Sequence, residues 1–115
     1  MVLGVGVDLV NITRFEEHVA KQPKLLERLF VTSELDASMK TIAGRFAAKE
    51  ALIKALGGSD GVVWHEVEVS KNASGKPEIS TTGQTAETLR KAGISKLHLS
   101  ISHDAGMAVA LVVAE

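Results

Sequence analysis

With 115 residues, 45% of them apolar and 23% charged, the chain falls in the ordinary globular class and suits one domain, residues 1–115. Its net charge of −1 leaves only local basic patches to hold an anionic partner, and an aromatic share of 3% argues against a base-stacking platform for nucleic acid. The lack of cysteine excludes disulfides, thiolate metal sites and a cysteine nucleophile, and it fits a reducing cytoplasm.

Met1 to Val10 is almost continuously apolar and rich in valine, which predicts a buried strand. Alternate residues of a strand share a face, so Gly4, Gly6 and Asp8 lie together, with Leu3, Val5, Val7 and Leu9 opposite. This start has no basic region before it, and no run approaches the roughly 20 apolar residues of a membrane span, so a soluble protein without a cleaved signal or membrane partner is expected. Asn11 or Thr13 caps a helix over about residues 12 to 22, which Pro23 interrupts. Lys24 to Phe30 reads as a short helical turn, and Thr32-Ser33-Glu34 starts another. The main helix is expected from about Thr41 to Leu56, with Gly57-Gly58 as its stop.

Ser59 to Trp64 reads as a loop, Val67 to Lys71 as a strand, Asn72 to Pro77 as a turn, and Glu78 to Ser80 as the returning strand. Thr82 to Ala92 predicts a helix stopped by Gly93. Leu97 to Ser102 and Met107 to Val113 predict two strands around a turn at Asp104-Ala105-Gly106. Strand, helices, hairpin, helix and hairpin make an α+β order rather than an alternating βαβ one.

Three groups of residues could carry chemistry. Two glycines beside Asp8 leave room for a ligand or another backbone, although an aspartate at a strand end can also cap the next helix. In the main helix Ile42, Phe46, Ile53 and Leu56 form an apolar stripe; Lys49 falls within it, Arg45 beside it and Glu50 at its edge. Ala43, Ala47 and Ala51 occupy most of the remaining arc, so the helix can be packed on most sides and its charges confined. The bland alternative is a helix whose long side chains snorkel to water, with Glu50 and Lys54 as a surface pair. Leu97, Leu99, Ile101 and His103 share one face of their strand, with His98, Ser100 and Ser102 on the other. His103 is therefore either a satisfied core residue or a group facing a phosphate. The Gly75-Lys76-Pro77 loop carries one cation but is too short and too poor in glycine for a P-loop. Two carboxylates, several cations, a histidine and small hydroxyls suit phosphate chemistry with magnesium.

These segments resemble the holo-[acyl-carrier-protein] synthase family of phosphopantetheinyl transferases over nearly the whole chain. The marks are Gly4 to Val10 (GVGVDLV), Phe30 to Leu35 (FVTSEL), Gly44 to Ala51 (GRFAAKEA), Gly75-Lys76-Pro77, and Leu99 to Asp104 (LSISHD). The resemblance implies a small antiparallel sheet with a long central helix, assembled as a homotrimer with active sites in the clefts between subunits. It implies coenzyme A as donor, 3′,5′-ADP as product, an acyl carrier protein as acceptor, Mg²⁺ as cofactor, and a role in fatty acid biosynthesis. On this resemblance Asp8 and Glu50 hold the metal and Lys54 lies near the donor phosphates. Arg45, Lys49, Gly75, Lys76, Pro77, Ser100 and His103 line the coenzyme A site, and Arg14 meets the acidic carrier. The segment between Leu35 and Gly44 is shorter than in many members, so a truncated lead into the main helix is expected. The competing readings are a non-catalytic trimeric nucleotide-binding module on the same scaffold and a magnesium-dependent phosphohydrolase.

Overall fold

A computed structural model describes residues 1–115. Strand β1 (Gly4–Asn11) leads into helix α1 (Ile12–Lys21), two short helices α2 (Leu25–Leu29) and α3 (Thr32–Leu35), and the long helix α4 (Met39–Ala55). A 3₁₀ turn at Trp64–Glu66 precedes the hairpin β2 (Val67–Lys71) and β3 (Pro77–Thr81). Helix α5 (Gly83–Lys91) and the hairpin β4 (Leu97–Asp104) and β5 (Met107–Ala114) follow. The expected order of elements holds throughout; the first strand begins three residues later than expected, at Gly4, and the other ends move by two residues or fewer.

The ends have visible causes. Asn11, not Asp8, caps α1: its side chain accepts a hydrogen bond from the Arg14 amide at 3.0 Å. Ser38 caps α4 by accepting from the Thr41 amide, so the helix starts at Met39. At the other end the amides of Gly57 and Gly58 reach back to the carbonyls of Lys54 and Ile53, and Gly57 takes φ +82°. That paired closure satisfies carbonyls the helix leaves open.

Strands β1, β5 and β4 form one antiparallel sheet in that order, and β2–β3 form a separate ribbon. The register pairs Gly6 with Val112, Asp8 with Ala110, and Ile101 with Ala110. One face of the three-stranded sheet lies on α4. The core contains Ala43, Ala47, Ala48, Ala51 and Leu52 of α4 against Ala108, Ala110 and Val112 of β5. Here the structure corrects the sequence reading: the most buried face of α4 is its small-residue arc, while Phe46, Ile53 and Leu56 are only partly buried. The reason is the close approach of β1. A Cβ on Gly6 would lie 1.8 Å from the Ala51 carbonyl oxygen, and one on Gly4 would lie 2.0 Å from that of Ala55. The opposite face of the sheet is apolar and open to solvent, with Val5, Val7, Leu9 and Leu111 all exposed.

Gly6→Ala should therefore force β1 off α4. The expected loss is roughly 1–3 kcal/mol, the usual cost of overpacking a core. Urea unfolding should show it as a lower midpoint with an unchanged slope, and a midpoint equal to the parent's would contradict the packing described.

Candidate active site

Because Asp8 shares the inward face of β1 with Gly4 and Gly6, the close approach of strand and helix carries its carboxylate to α4. There Asp8 Oδ1 accepts a hydrogen bond from Lys54 Nζ at 3.1 Å. Asp8, Glu50, Arg14, His18, Phe15 and Phe46 line one cleft of about 230 Å³. Phe15 and Phe46 pack with ring centroids 5.2 Å apart, and Trp64 stacks on the far side of Phe46 at 5.9 Å. Phe15 and Phe46 give the cleft an apolar side. Partial burial, together with the nearby Asp8 charge, raises the Glu50 pKa above the ordinary carboxylate value, while Lys54 opposes the shift.

Two acids that repel each other at the mouth of a cleft are a natural seat for a divalent cation. No third His, Cys, Asp or Glu joins them into a larger metal-binding cluster. That donor set fits a hard cation that takes its remaining ligands from water and substrate phosphate. Asp8 and Glu50 thus meet at one cleft, with Lys54 beside them and Arg14 at the rim. Sequence reasoning overlooked His18 and Lys21, which follow Arg14 at helical spacing and extend one basic stripe along α1.

A second cleft, of about 220 Å³, is lined by Thr41, Arg45, Gly75, Pro77 and His103, with Val69, Ser70 and Lys71 of β2. His103 Nε2 bonds to the carbonyl oxygen of Lys40 at 3.1 Å. Arg45 donates from Nη1 to the Glu34 carbonyl at 2.5 Å. The turn below is shaped by Asn72, whose Oδ1 accepts from the amides of Ser74 and Lys76, and by Gly75 at φ +85°. Lys76 sits on this loop, but it is not among the residues lining the cleft.

Arg45 and Glu50 are five residues apart on α4, which separates them by about 140° around the helix axis. One chain therefore does not bring all the expected residues together. Four of them fall outside the lining of both clefts: Lys54, which pairs with Asp8, Lys76 on the β2–β3 turn, and Ser100 and Lys49. Ser100 is exposed on the outward face of β4, opposite Leu111, because strand alternation turns it away from Ile101 and His103. Lys49 needs a correction. It is 1% exposed, and its ammonium bonds to Glu34 Oε1 at 2.7 Å and to the carbonyls of Leu29 and Trp64 at 2.7 and 3.2 Å. It also lies 4.7 Å from the centre of the Phe30 ring. Burial pushes its pKa below the ordinary lysine value and the Glu34 partner opposes that shift. All three of its donors are used inside the protein, so it has none for a ligand.

The two clefts, the β1–α4 crossing and the three-stranded sheet define a recognised class of protein. A model of the 4′-phosphopantetheinyl transferase superfamily matches residues 4–112. The chain belongs to that family. It is 48% identical to a holo-[acyl-carrier-protein] synthase of Kocuria rhizophila, over 100% of this chain and 94% of the relative. The solved holo-[acyl-carrier-protein] synthase of Neisseria meningitidis superposes with a TM-score of 0.92 at 31% identity, covering 100% of this chain and 99% of that one. The Helicobacter pylori enzyme, solved in complex with coenzyme A, gives a TM-score of 0.86 at 37% identity, covering 96% and 99%.

The raised Glu50 pKa has a direct consequence for stability. Because the folded state holds the proton more tightly than the unfolded state does, folding is favoured while Glu50 is protonated. That contribution is lost as pH rises through the folded value. Glu50→Gln mimics the protonated form, so in a chelator it should melt higher than the parent at neutral pH, and the gap should close on acidification into the ordinary carboxylate range. Added Mg²⁺ should raise the melting temperature of the parent alone. Equal melting temperatures at all pH values would contradict the strained acid pair.

Proposed function

We propose that this chain transfers the 4′-phosphopantetheine group of coenzyme A to a serine of an apo-acyl carrier protein. The products are the holo-carrier and 3′,5′-ADP. The reading places it in fatty acid biosynthesis in the cytoplasm, as a single domain over residues 1–115 acting as a homotrimer. The observation that carries it is the pairing of Asp8 with Glu50 at a cleft rimmed by Arg14, in a family whose solved members include a coenzyme A complex.

Asp8 and Glu50 would hold Mg²⁺. When bound, the cation would offset negative charge on the pyrophosphate. Lys54, already beside Asp8, adds positive charge where the leaving phosphate develops its own. The serine oxygen attacks the phosphorus that bears pantetheine. A new P–O bond forms, and the bond to the 3′,5′-ADP oxygen breaks, with the electron pair going to that oxygen. The serine proton must go to a base, and Glu50 is the favoured acceptor, directly or through one water, because its carboxylate lines the cleft where the serine must arrive. His103 belongs to the other cleft, and its Nε2 is engaged by the Lys40 carbonyl, which suits a contact with a donor phosphate better than a role as base.

Arg45, His103 and the Gly75–Pro77 loop suit the nucleotide end of coenzyme A. Since they face away from Asp8 and Glu50 of the same chain, a full site is best built between copies. The exposed face of Val5, Val7, Leu9 and Leu111 is a suitable contact for a neighbour, and Ser100 lies on that same face. The basic stripe of Arg14, His18 and Lys21 suits an acidic carrier helix.

The test follows the mass of an apo-carrier incubated with this chain, coenzyme A and Mg²⁺. A gain of one phosphopantetheine, abolished by chelator, is expected. Asp8→Asn or Glu50→Gln should slow the gain on the order of 10²-fold or more. Arg14→Ala should raise the KM for carrier roughly tenfold, the scale of one charged contact, with the KM for coenzyme A unchanged. Co-expressing Glu50→Gln with Arg45→Ala should recover activity that neither has alone. Free phosphopantetheine without modified carrier would contradict the transfer reaction, and near-parental rates in the acid variants would contradict the metal assignment.

A further inference from the structure

Glu34 is 0% exposed, so it cannot touch a ligand, yet all three of its oxygens are occupied. Oε1 accepts from the Val31 amide at 3.0 Å and from Lys49 Nζ at 2.7 Å. Oε2 accepts from the Val69 amide at 2.9 Å. Its backbone carbonyl accepts from Arg45 Nη1 at 2.5 Å. This one residue therefore ties together α3, α4 and β2. Two of its partners, Arg45 and Val69, line the second cleft, and β2 runs on from Val69 into Ser70, Lys71 and the Gly75–Pro77 turn that form its wall. A third partner, Lys49, directly precedes Glu50. Helix α3 has four residues and cannot fix such a geometry by its own stability.

We propose that Glu34 is a positioning residue for the donor: it locks Arg45 and the β2–β3 wall to α4, so that the nucleotide cleft is shaped before coenzyme A arrives. This rests on the reading of that cleft as the coenzyme A site. The chemistry demands a carboxylate. Three donors converge on its two side-chain oxygens, and a carboxylate offers acceptors only. Glutamine would turn an NH₂ toward the Val69 amide or the Lys49 ammonium. Preorganisation of this kind acts on substrate affinity, because a wall that must be ordered on binding subtracts from the affinity observed.

A pair that only holds the fold together makes a different prediction from a pair that sets the cleft. Replacing a buried ion pair by apolar residues often leaves stability intact. The double variant Glu34→Leu with Lys49→Met removes both charges together, so it should stay folded and melt below the parent only by the cost of the backbone groups it leaves unpaired. It also leaves the Val31 and Val69 amides without their acceptor, so the KM for coenzyme A should rise roughly tenfold, the scale of one charge-assisted hydrogen bond. The kcat at saturating coenzyme A and the KM for carrier should change little. A parental KM for coenzyme A in the folded double variant would overturn the proposal. If the double variant does not fold, hydrogen exchange in the parent decides. Coenzyme A should slow exchange of the Val31 amide, which is outside the cleft and bonds to Glu34 Oε1, and unchanged exchange there would overturn the proposal. Calorimetry on the parent separates the two levels. A parent that fails to bind coenzyme A overturns the reading of the cleft and this proposal with it. A parent that binds, beside a folded double variant with parental KM, overturns the role of Glu34 alone.

Discussion

The distance between β1 and α4 governs the molecule. Gly4 and Gly6 have no Cβ because the helix carbonyls of Ala55 and Ala51 occupy the space one would need. Alanines complete the contact from the other side, at positions 43, 47 and 51 of α4 and positions 108 and 110 of β5. A strand that could not lie this close would carry Asp8 outward, away from Lys54 and from the influence it exerts on Glu50. Core packing and the placement of the acids are thus one constraint. Burial first, and the neighbouring Asp8 charge second, raise the Glu50 pKa, and a cation would offset both.

Four of the five charged residues of helix α4 go to three destinations. Glu50 lines the first cleft with Lys54 beside it on Asp8, Arg45 lines the second, and Lys49 is buried against Glu34. A single straight helix cannot aim Arg45 and Glu50 into one pocket, because their spacing turns them to different sides. The division also gives meaning to the uncovered sheet face. A monomer rarely leaves valines and leucines in a continuous exposed row without a partner for them. Here such a row adjoins residues that are expected to share a site but do not meet within one chain.

Much of this was legible in the sequence where a period decides geometry. The two-residue alternation placed Gly4, Gly6 and Asp8 on one face before any coordinates, and the double glycine after Leu56 marked the end of α4. Motifs named the two acids and their family, and packing then brought those acids to one cleft. What failed has a common cause, since helical or strand position says which way a residue points but not what waits there. Lys49 looked like one more cation beside Glu50, but its partner comes from α3, fifteen residues upstream, through a turn that no local pattern specifies. A signal was present: Glu34 is the lone acid in Leu29 to Leu35, an otherwise uncharged segment. The fate of Ser100 was illegible for another reason. Which face of β4 meets a ligand depends on what covers the sheet, and one chain's sequence does not contain that. His18 and Lys21 were legible at helical spacing from Arg14, and attention to motifs passed over them.

The most direct test of the acid pair as a cation site is a crystal structure grown with Mn²⁺ and coenzyme A, read by the anomalous signal of manganese. The account predicts one manganese peak per subunit, in contact with oxygens of both Asp8 and Glu50. A peak elsewhere on the molecule, or a pyrophosphate bound with these two carboxylates turned away from it, would contradict the account.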